Sequence, residues 1–101
     1  MTWTTQPRSN RGALAYIERG QGPNVLLIHG VGLCADAWGA QLDVLSRQYT
    51  LCAVDMPGHG QSHNLSVDAP SLRDYADVIA TLVDGPTVVV GHSMGAMLAV
   101  Q

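Results

Sequence analysis

The sequence contains no lysine and no phenylalanine, and only 13% of its 101 residues are charged. All five basic residues are arginines and the net charge is −3, so the chain lacks the basic surface that binds nucleic acids or anionic membranes. No apolar run approaches the roughly 20 residues of a membrane span, and the polar N-terminus lacks the apolar core of a secretory signal. These absences predict no nucleic-acid partner, no membrane partner and a cytoplasmic location.

Cysteine is also scarce. Cys34 and Cys52 have neither the spacing of metal ligands nor that of a disulfide framework, and Cys52 lies in an apolar run typical of a buried thiol. His59 and His63 with Asp55 form the one remaining group of possible metal ligands, but a four-residue spacing in a Pro-Gly loop places them on no common face. We therefore expect no metal site.

Short apolar runs alternate with helical patterns along the chain. The predicted strands are residues 3–6, 13–18, 24–29, 50–54 and 87–90, and the first two form a hairpin through a turn at residues 7–12. The spacing of Trp38, Leu42 and Leu45 predicts one helix. Ser71 begins a second helix, where Asp74 completes a capping box. This alternation predicts an α/β fold with a mostly parallel sheet in which only the first pair of strands is antiparallel.

The segment Gly91-His92-Ser93-Met94-Gly95 stands between a β-branched strand and an apolar helix start. A nucleophilic hydroxyl that stands clear of a sheet edge needs a sharp strand-to-helix turn, and glycines on both sides of the serine allow the close backbone approach of such a turn. The N–H groups at the start of the following helix would face a developing oxyanion. The pattern therefore predicts Ser93 as a nucleophile, with Gly91 and Gly95 in support.

Three motifs in this order resemble those of the α/β-hydrolase superfamily. His29-Gly30-Val31-Gly32 resembles its oxyanion-hole segment, residues 55–62 (Asp-Met-Pro-Gly-His-Gly-Gln-Ser) resemble its D-x-P-G-x-G-x-S loop, and residues 91–95 resemble its nucleophile elbow. The resemblance covers the whole chain. It implies a sheet in the order 1-2-4-3-5, numbered along the chain, and an oxyanion hole formed by the backbone N–H groups of Val31 and Met94.

The resemblance also implies a hydrolase of carboxylic esters, or of related lactone and C–C substrates, that works through an acyl-enzyme on a small-molecule substrate without a cofactor. We expect His29, beside Gly30, to hold the oxyanion loop by hydrogen bonds and His92 to be structural. Serine at position 93 separates the chain from the dehalogenases and epoxide hydrolases of this fold, which carry aspartate there.

Members of this superfamily place an acidic residue and then a histidine after the nucleophile, and residues 94–101 contain neither. The resemblance therefore predicts a single, incomplete hydrolase domain over residues 1–101. We expect no turnover from these residues alone.

Two other classes of protein stay open. Gly30, Gly32 and Ala35 match the dinucleotide fingerprint G-x-G-x-x-G/A, and Asp55 ends the next strand at a distance suited to bind a ribose, which favours an NAD-binding domain. This match begins after the third strand instead of the first, and it leaves the glycines around Ser93 unexplained. The other class is a hydrolase-like fold that binds ligands without catalysis.

Overall fold

The computed structural model describes residues 6–12, 14–30, 32–62, 71–83, 85–92 and 95. They form five strands, which are β1 (Ser9–Arg11), β2 (Leu14–Arg19), β3 (Asn24–Ile28), β4 (Thr50–Val54) and β5 (Thr87–Gly91). Two helices, α1 (Gly39–Leu45) and α2 (Leu72–Ile79), are each joined to a short 3₁₀ helix, at Ala35–Trp38 and Ala80–Leu82. Among the described residues, no helix is both long enough and apolar enough to cross a membrane.

The strands form one sheet in the order β1-β2-β4-β3-β5, which confirms the predicted order. β3 lies in the interior and runs parallel to both β4 and β5. Ile28, the last residue of β3, is opposite Val54 of β4 and Gly91 of β5. Because the three parallel strands end together, the loops that follow them meet at one edge of the sheet.

The prediction that only the first strand pair is antiparallel is wrong. β2 pairs antiparallel with β1 and also with β4, so the sheet is mixed. The cause is the connection at residues 20–23 between β2 and β3, which is too short for a crossover and therefore reverses the chain. Since β4 is parallel to β3, it must run against β2.

The position of the first hairpin also differs from the prediction. β1 is formed by Ser9–Arg11, within the segment predicted to be a turn. Of the strand predicted at residues 3–6, residues 3–5 lie outside the described residues and Gln6 is not in a strand. Polar residues form β1 because their backbone pairs with β2, and their side chains stay exposed.

Buried side chains form one apolar cluster on each face of the sheet. Neighbouring residues of a strand point to opposite faces, so Leu26 and Ile28 join the cluster beneath α2, whereas Val25 and Leu27 join the cluster beneath α1. The predicted capping box begins α2: the Ser71 hydroxyl accepts from the Asp74 N–H, and the Asp74 carboxylate accepts from the Ser71 N–H. Two covered faces explain the low charge content of the chain.

The helix predicted from Trp38, Leu42 and Leu45 is divided in the structure. Trp38 ends the 3₁₀ helix and packs on the core, and Leu42 in α1 is fully buried. Leu45 is 36% exposed and lies outside the two core clusters. Leu45 ends α1 and is rotated by about 60° from Leu42 around the helix axis, so it lies at the margin of the face that packs on the sheet.

Candidate active site

The predicted site residues follow two neighbouring strands at one edge of the sheet. His29 and Gly30 follow β3, whereas Gly91 ends β5 and His92 comes directly after it. Three further predicted site residues lie outside the described part of the chain, namely Val31, Ser93 and Met94. Their roles as oxyanion donors and nucleophile stay predictions.

The described residues on either side of positions 93 and 94 are tied to each other and to β3. The Gly95 N–H donates to the His92 carbonyl at 2.9 Å, and the His92 N–H donates to the Ile28 carbonyl at 3.0 Å. Gly95 is buried, and a Cβ added to it would collide with the Ile28 carbonyl oxygen and lie 2.8 Å from that of His29. Only glycine therefore fits at position 95 without moving the end of β3.

His29 is buried between two backbone groups. Its Nδ1 lies 2.7 Å from the Gly30 carbonyl oxygen, and its Nε2 lies 3.0 Å from the Met56 nitrogen. Both hydrogen bonds form only in the neutral tautomer that carries its proton on Nδ1, so that Nε2 accepts from the Met56 N–H. Burial lowers the pKa of His29 from its ordinary value of 6.5. A neutral imidazole with both nitrogens engaged is suited to hold a loop and not to exchange protons.

We expect the stability of the protein to depend on pH through His29. Its pKa is lower in the folded than in the unfolded chain, so the unfolded chain takes up the proton first as the pH falls. The free energy of unfolding should therefore be level above about pH 7.5 and decrease as the pH falls through about 6.5. Chemical denaturation at several pH values measures this slope, with His29→Gln as the control without a titrating group. Equal slopes in both proteins would contradict the assignment.

Asp55, directly after β4, is fully buried and binds groups of the protein itself. Its carboxylate accepts from the Ala35 N–H at 2.8 Å, from the Gln61 N–H at 3.0 Å and from Arg8 Nε at 2.8 Å. The dinucleotide hypothesis required this carboxylate to bind a ribose and the backbone near Ala35 to approach a phosphate. Both groups are instead bonded to each other, so the geometry does not support that hypothesis.

The loop at residues 55–62 closes around the same carboxylate. The Ser62 hydroxyl donates to the Asp55 carbonyl at 2.6 Å and accepts from the Ala15 N–H at 2.8 Å. Gly60 has a φ of +51°, and a Cβ there would collide with the Asp55 carboxylate. Packing and hydrogen bonds therefore explain why Asp55, Gly60 and Ser62 occur in this motif. The loop contacts His29 through the Met56 N–H.

A metal site is not visible among the described residues, where no three potential ligands of the His, Cys, Asp or Glu type come together. Of the group considered from the sequence, His63 lies outside the described residues. Asp55 is enclosed by its protein donors, and His59 Nδ1 lies 3.1 Å from the Pro57 carbonyl oxygen.

Sequence reasoning missed a buried cluster of Arg8, Asp36 and Asp55. The guanidinium lies 2.8 Å from each carboxylate. The hydrogen bond between Arg8 and Asp36 is the main cause that raises the pKa of Arg8 and lowers that of Asp36. A charge at position 36 in an apolar stretch was the available signal. Its partner was not predictable, because 28 residues separate Arg8 from Asp36.

A cavity of about 240 Å³ lies beside the ends of β3 and β5. Its size is below that of pockets for drug-sized ligands, about 300–1,000 Å³, and fits a small molecule. The lining residues are His29, Leu33, Ala37, Trp38, Gln41 and His92.

Comparison with known proteins agrees with this geometry. A sequence profile of the alpha/beta hydrolase family matches residues 25–101, which include the ends of β3, β4 and β5. The chain belongs to the alpha/beta hydrolase family. Membership accounts for the mixed sheet with β3 in its interior.

Three known proteins illustrate what the chain is similar to. The (E)-2-((N-methylformamido)methylene)succinate hydrolase of Acinetobacter baylyi is 46% identical over 99 residues, and the match covers 94% of this chain and 37% of that protein. The pimeloyl-[acyl-carrier protein] methyl ester esterase of Nitrosomonas europaea is 34% identical over 82 residues, covering 81% of this chain and 32% of the esterase. The solved structure of E-2-(acetamidomethylene)succinate hydrolase has a TM-score of 0.78 at 37% identity, over 86% of this chain and 34% of its own. The chain therefore spans about a third of the length of these relatives.

Proposed function

We propose that the protein is a serine hydrolase that cleaves carboxylic esters or related acyl compounds through an acyl-enzyme on Ser93. The observation that carries the proposal is the turn after β5, where Gly95 bonds to the His92 carbonyl and packs against the end of β3. Family membership gives a serine in such a turn the role of nucleophile. The names of the relatives, which are one esterase and two hydrolases of succinate derivatives, support hydrolysis as the reaction class.

In the proposed reaction, the Ser93 hydroxyl attacks the substrate carbonyl while a histidine accepts its proton. The N–H groups of Val31 and Met94 bind the oxygen that becomes negative, each stabilising the transition state by about 3 kcal/mol. The histidine then protonates the leaving alcohol, and water releases the acid and restores the serine. This chemistry needs no cofactor, and we propose none.

His29 has a defined part in this proposal. Its Nδ1–H bonds to the Gly30 carbonyl, and the Leu33 N–H donates to the same oxygen at 3.2 Å. A trans peptide directs its N–H opposite to its carbonyl, so fixing the Gly30 carbonyl also fixes the direction of the Val31 N–H. His29 is therefore proposed to orient one oxyanion donor without exchanging protons.

We also propose that the substrate is a small acyl compound. The protein is proposed to be cytoplasmic and to bind neither nucleic acid nor membranes. The cavity of about 240 Å³ beside His29 and His92 supports a small substrate. The net charge of −3, with no lysine, supports the absence of a nucleic-acid or membrane partner.

The test is covalent labelling of the whole gene product with a fluorophosphonate, which forms a stable ester with an activated serine. We expect one adduct on the peptide that contains Ser93, its loss in Ser93→Ala, and its retention in Ser71→Ala, a control at the exposed start of α2. Equal labelling of wild type and Ser93→Ala would refute the nucleophile. Absence of both labelling and turnover of short acyl esters would favour the non-catalytic binding protein.

Residues 1–101 by themselves are expected to show no Ser93-dependent turnover. Residues 94–101 include no acid and no histidine, and a serine without a base stays protonated and is a poor nucleophile. The measurement is hydrolysis of p-nitrophenyl acetate by the purified 101-residue chain and by its Ser93→Ala variant, which should agree with each other. Turnover lost in the variant would reveal a base within the chain, with His29 the first to examine.

A further inference from the structure

Arg8 joins the 3₁₀ helix at Ala35–Trp38, which comes after the loop that follows β3, to the loop that follows β4. Its Nη2 lies 2.8 Å from Asp36 Oδ2, and its Nε lies 2.8 Å from Asp55 Oδ2. The exposed fractions of the three side chains are 2%, 7% and 0%. A buried ion cluster is weak evidence of a gain in stability, because removing the charges from water costs much of the attraction. The cluster does hold the segments around Asp36 and Asp55 in one relative position.

The loop at residues 29–35, here called the oxyanion loop, is fastened at both ends to the residues beside this cluster. At its start, His29 Nε2 accepts from the N–H of Met56, the neighbour of Asp55, at 3.0 Å. At its end, the Ala35 N–H donates to the Asp55 carboxylate at 2.8 Å. The position of Asp55 therefore sets the position of both ends of the oxyanion loop.

We propose that Arg8 is a positioning residue for the oxyanion loop, which it aligns by fixing Asp36 and Asp55. This inference rests on the proposed serine-hydrolase function, because it gives Arg8 the task of placing the Val31 N–H. Arg8 acts through the two carboxylates and does not contact the substrate. An oxyanion donor is effective when its nitrogen lies about 2.7–3.1 Å from the position of the oxyanion. A displacement of about 1 Å costs about 100-fold in rate.

Removal of the guanidinium leaves two buried carboxylates of like charge beside each other. They either move apart or take up a proton, and each response alters the hydrogen bond from Ala35 to Asp55 and the position of Met56, the partner of His29. The donor bonds most strongly in the transition state, so its displacement lowers kcat and leaves KM nearly unchanged. A purely structural Arg8 would lower the folded fraction and leave kcat per folded molecule unchanged.

The experiment compares Arg8→Met and Arg8→Lys in the whole gene product with a short p-nitrophenyl ester, at a temperature where circular dichroism shows each variant folded. We expect Arg8→Met to lower kcat about 10- to 100-fold with KM within about threefold of wild type. Arg8→Lys keeps a positive charge beside the carboxylates and should therefore lose less than Arg8→Met. It should still fall below wild type, because a single ammonium cannot bind both carboxylates as a guanidinium fork does. Arg73→Met is the matched control, because it removes an exposed ion pair with Asp77 on α2 and should leave kcat unchanged.

Affinity for a trifluoromethyl ketone is the second measurement, since this inhibitor forms an oxyanion on the active serine. It should weaken in the Arg8 variants by the same factor as kcat/KM. If Arg8→Met does not fold, kcat and the affinity for the ketone are both measured on Arg8→Lys. Unchanged kcat and unchanged ketone affinity in a folded variant overturn the positioning role. Absence of Ser93-dependent turnover in the wild type overturns the proposed function instead, before any Arg8 variant is compared.

Discussion

Replacing Ser93 with alanine is expected to lower kcat of the whole protein by about 10⁴- to 10⁶-fold with little change in KM. The variant cannot form the acyl-enzyme, so only uncatalysed attack by water near the oxyanion donors remains. Alanine is smaller than serine and keeps a Cβ, so the turn between His92 and Gly95 should be preserved.

Steady-state kinetics with a short acyl ester measure the effect, and thermal unfolding shows whether the variant keeps its fold. Ser71→Ala removes a hydroxyl from the start of α2, distant in sequence from the candidate site, and should keep kcat. A loss of less than about tenfold in Ser93→Ala would contradict the assignment of the nucleophile.

Replacing Asp55 with alanine is expected to reduce the free energy of unfolding by about 3–5 kcal/mol. The change removes the acceptor for two backbone N–H groups, of Ala35 and Gln61, and for Arg8 Nε. Each buried donor left without a partner costs about 1–3 kcal/mol, and the charged one costs more. Gly60 would also lose the carboxylate against which it packs.

Urea denaturation of the whole gene product measures this loss. Asp43→Ala is the matched control, since Asp43 also bonds an arginine at 2.8 Å but its side chain is 70% exposed. An exposed pair contributes less than about 1 kcal/mol. Similar losses in Asp43→Ala and Asp55→Ala would mean that the buried cluster does not organise the loops.

Local patterns in the sequence predicted the elements whose causes are local. β4 has the predicted bounds, and α2 begins with the predicted capping box. Both features depend on residues that are close in sequence: a short apolar run in β4, and a capping serine three residues before its partner in α2. The resemblance of three short motifs to the α/β hydrolases was sufficient for the sheet order, because these motifs follow the strands that the fold brings to one edge.

The first hairpin and the direction of β2 were not predictable in this way. Ser9–Arg11 has no apolar alternation, and it forms a strand only because its backbone pairs with that of β2. The antiparallel pairing of β2 with β4 depends on the reversal of the chain at residues 20–23 and on the position of β4 between β2 and β3, which no residue of β2 encodes.

The sequence by itself determined where the candidate site lies, since the glycines flanking Ser93 and those after His29 form motifs that are recognised from local spacing. Only the tertiary structure decided what holds that site in place. Arg8 meets Asp55 across 47 residues of sequence, and His29 meets Met56 across 27. No periodicity links such distant positions; they come together because β3 and β4 are parallel neighbours that end at the same edge of the sheet.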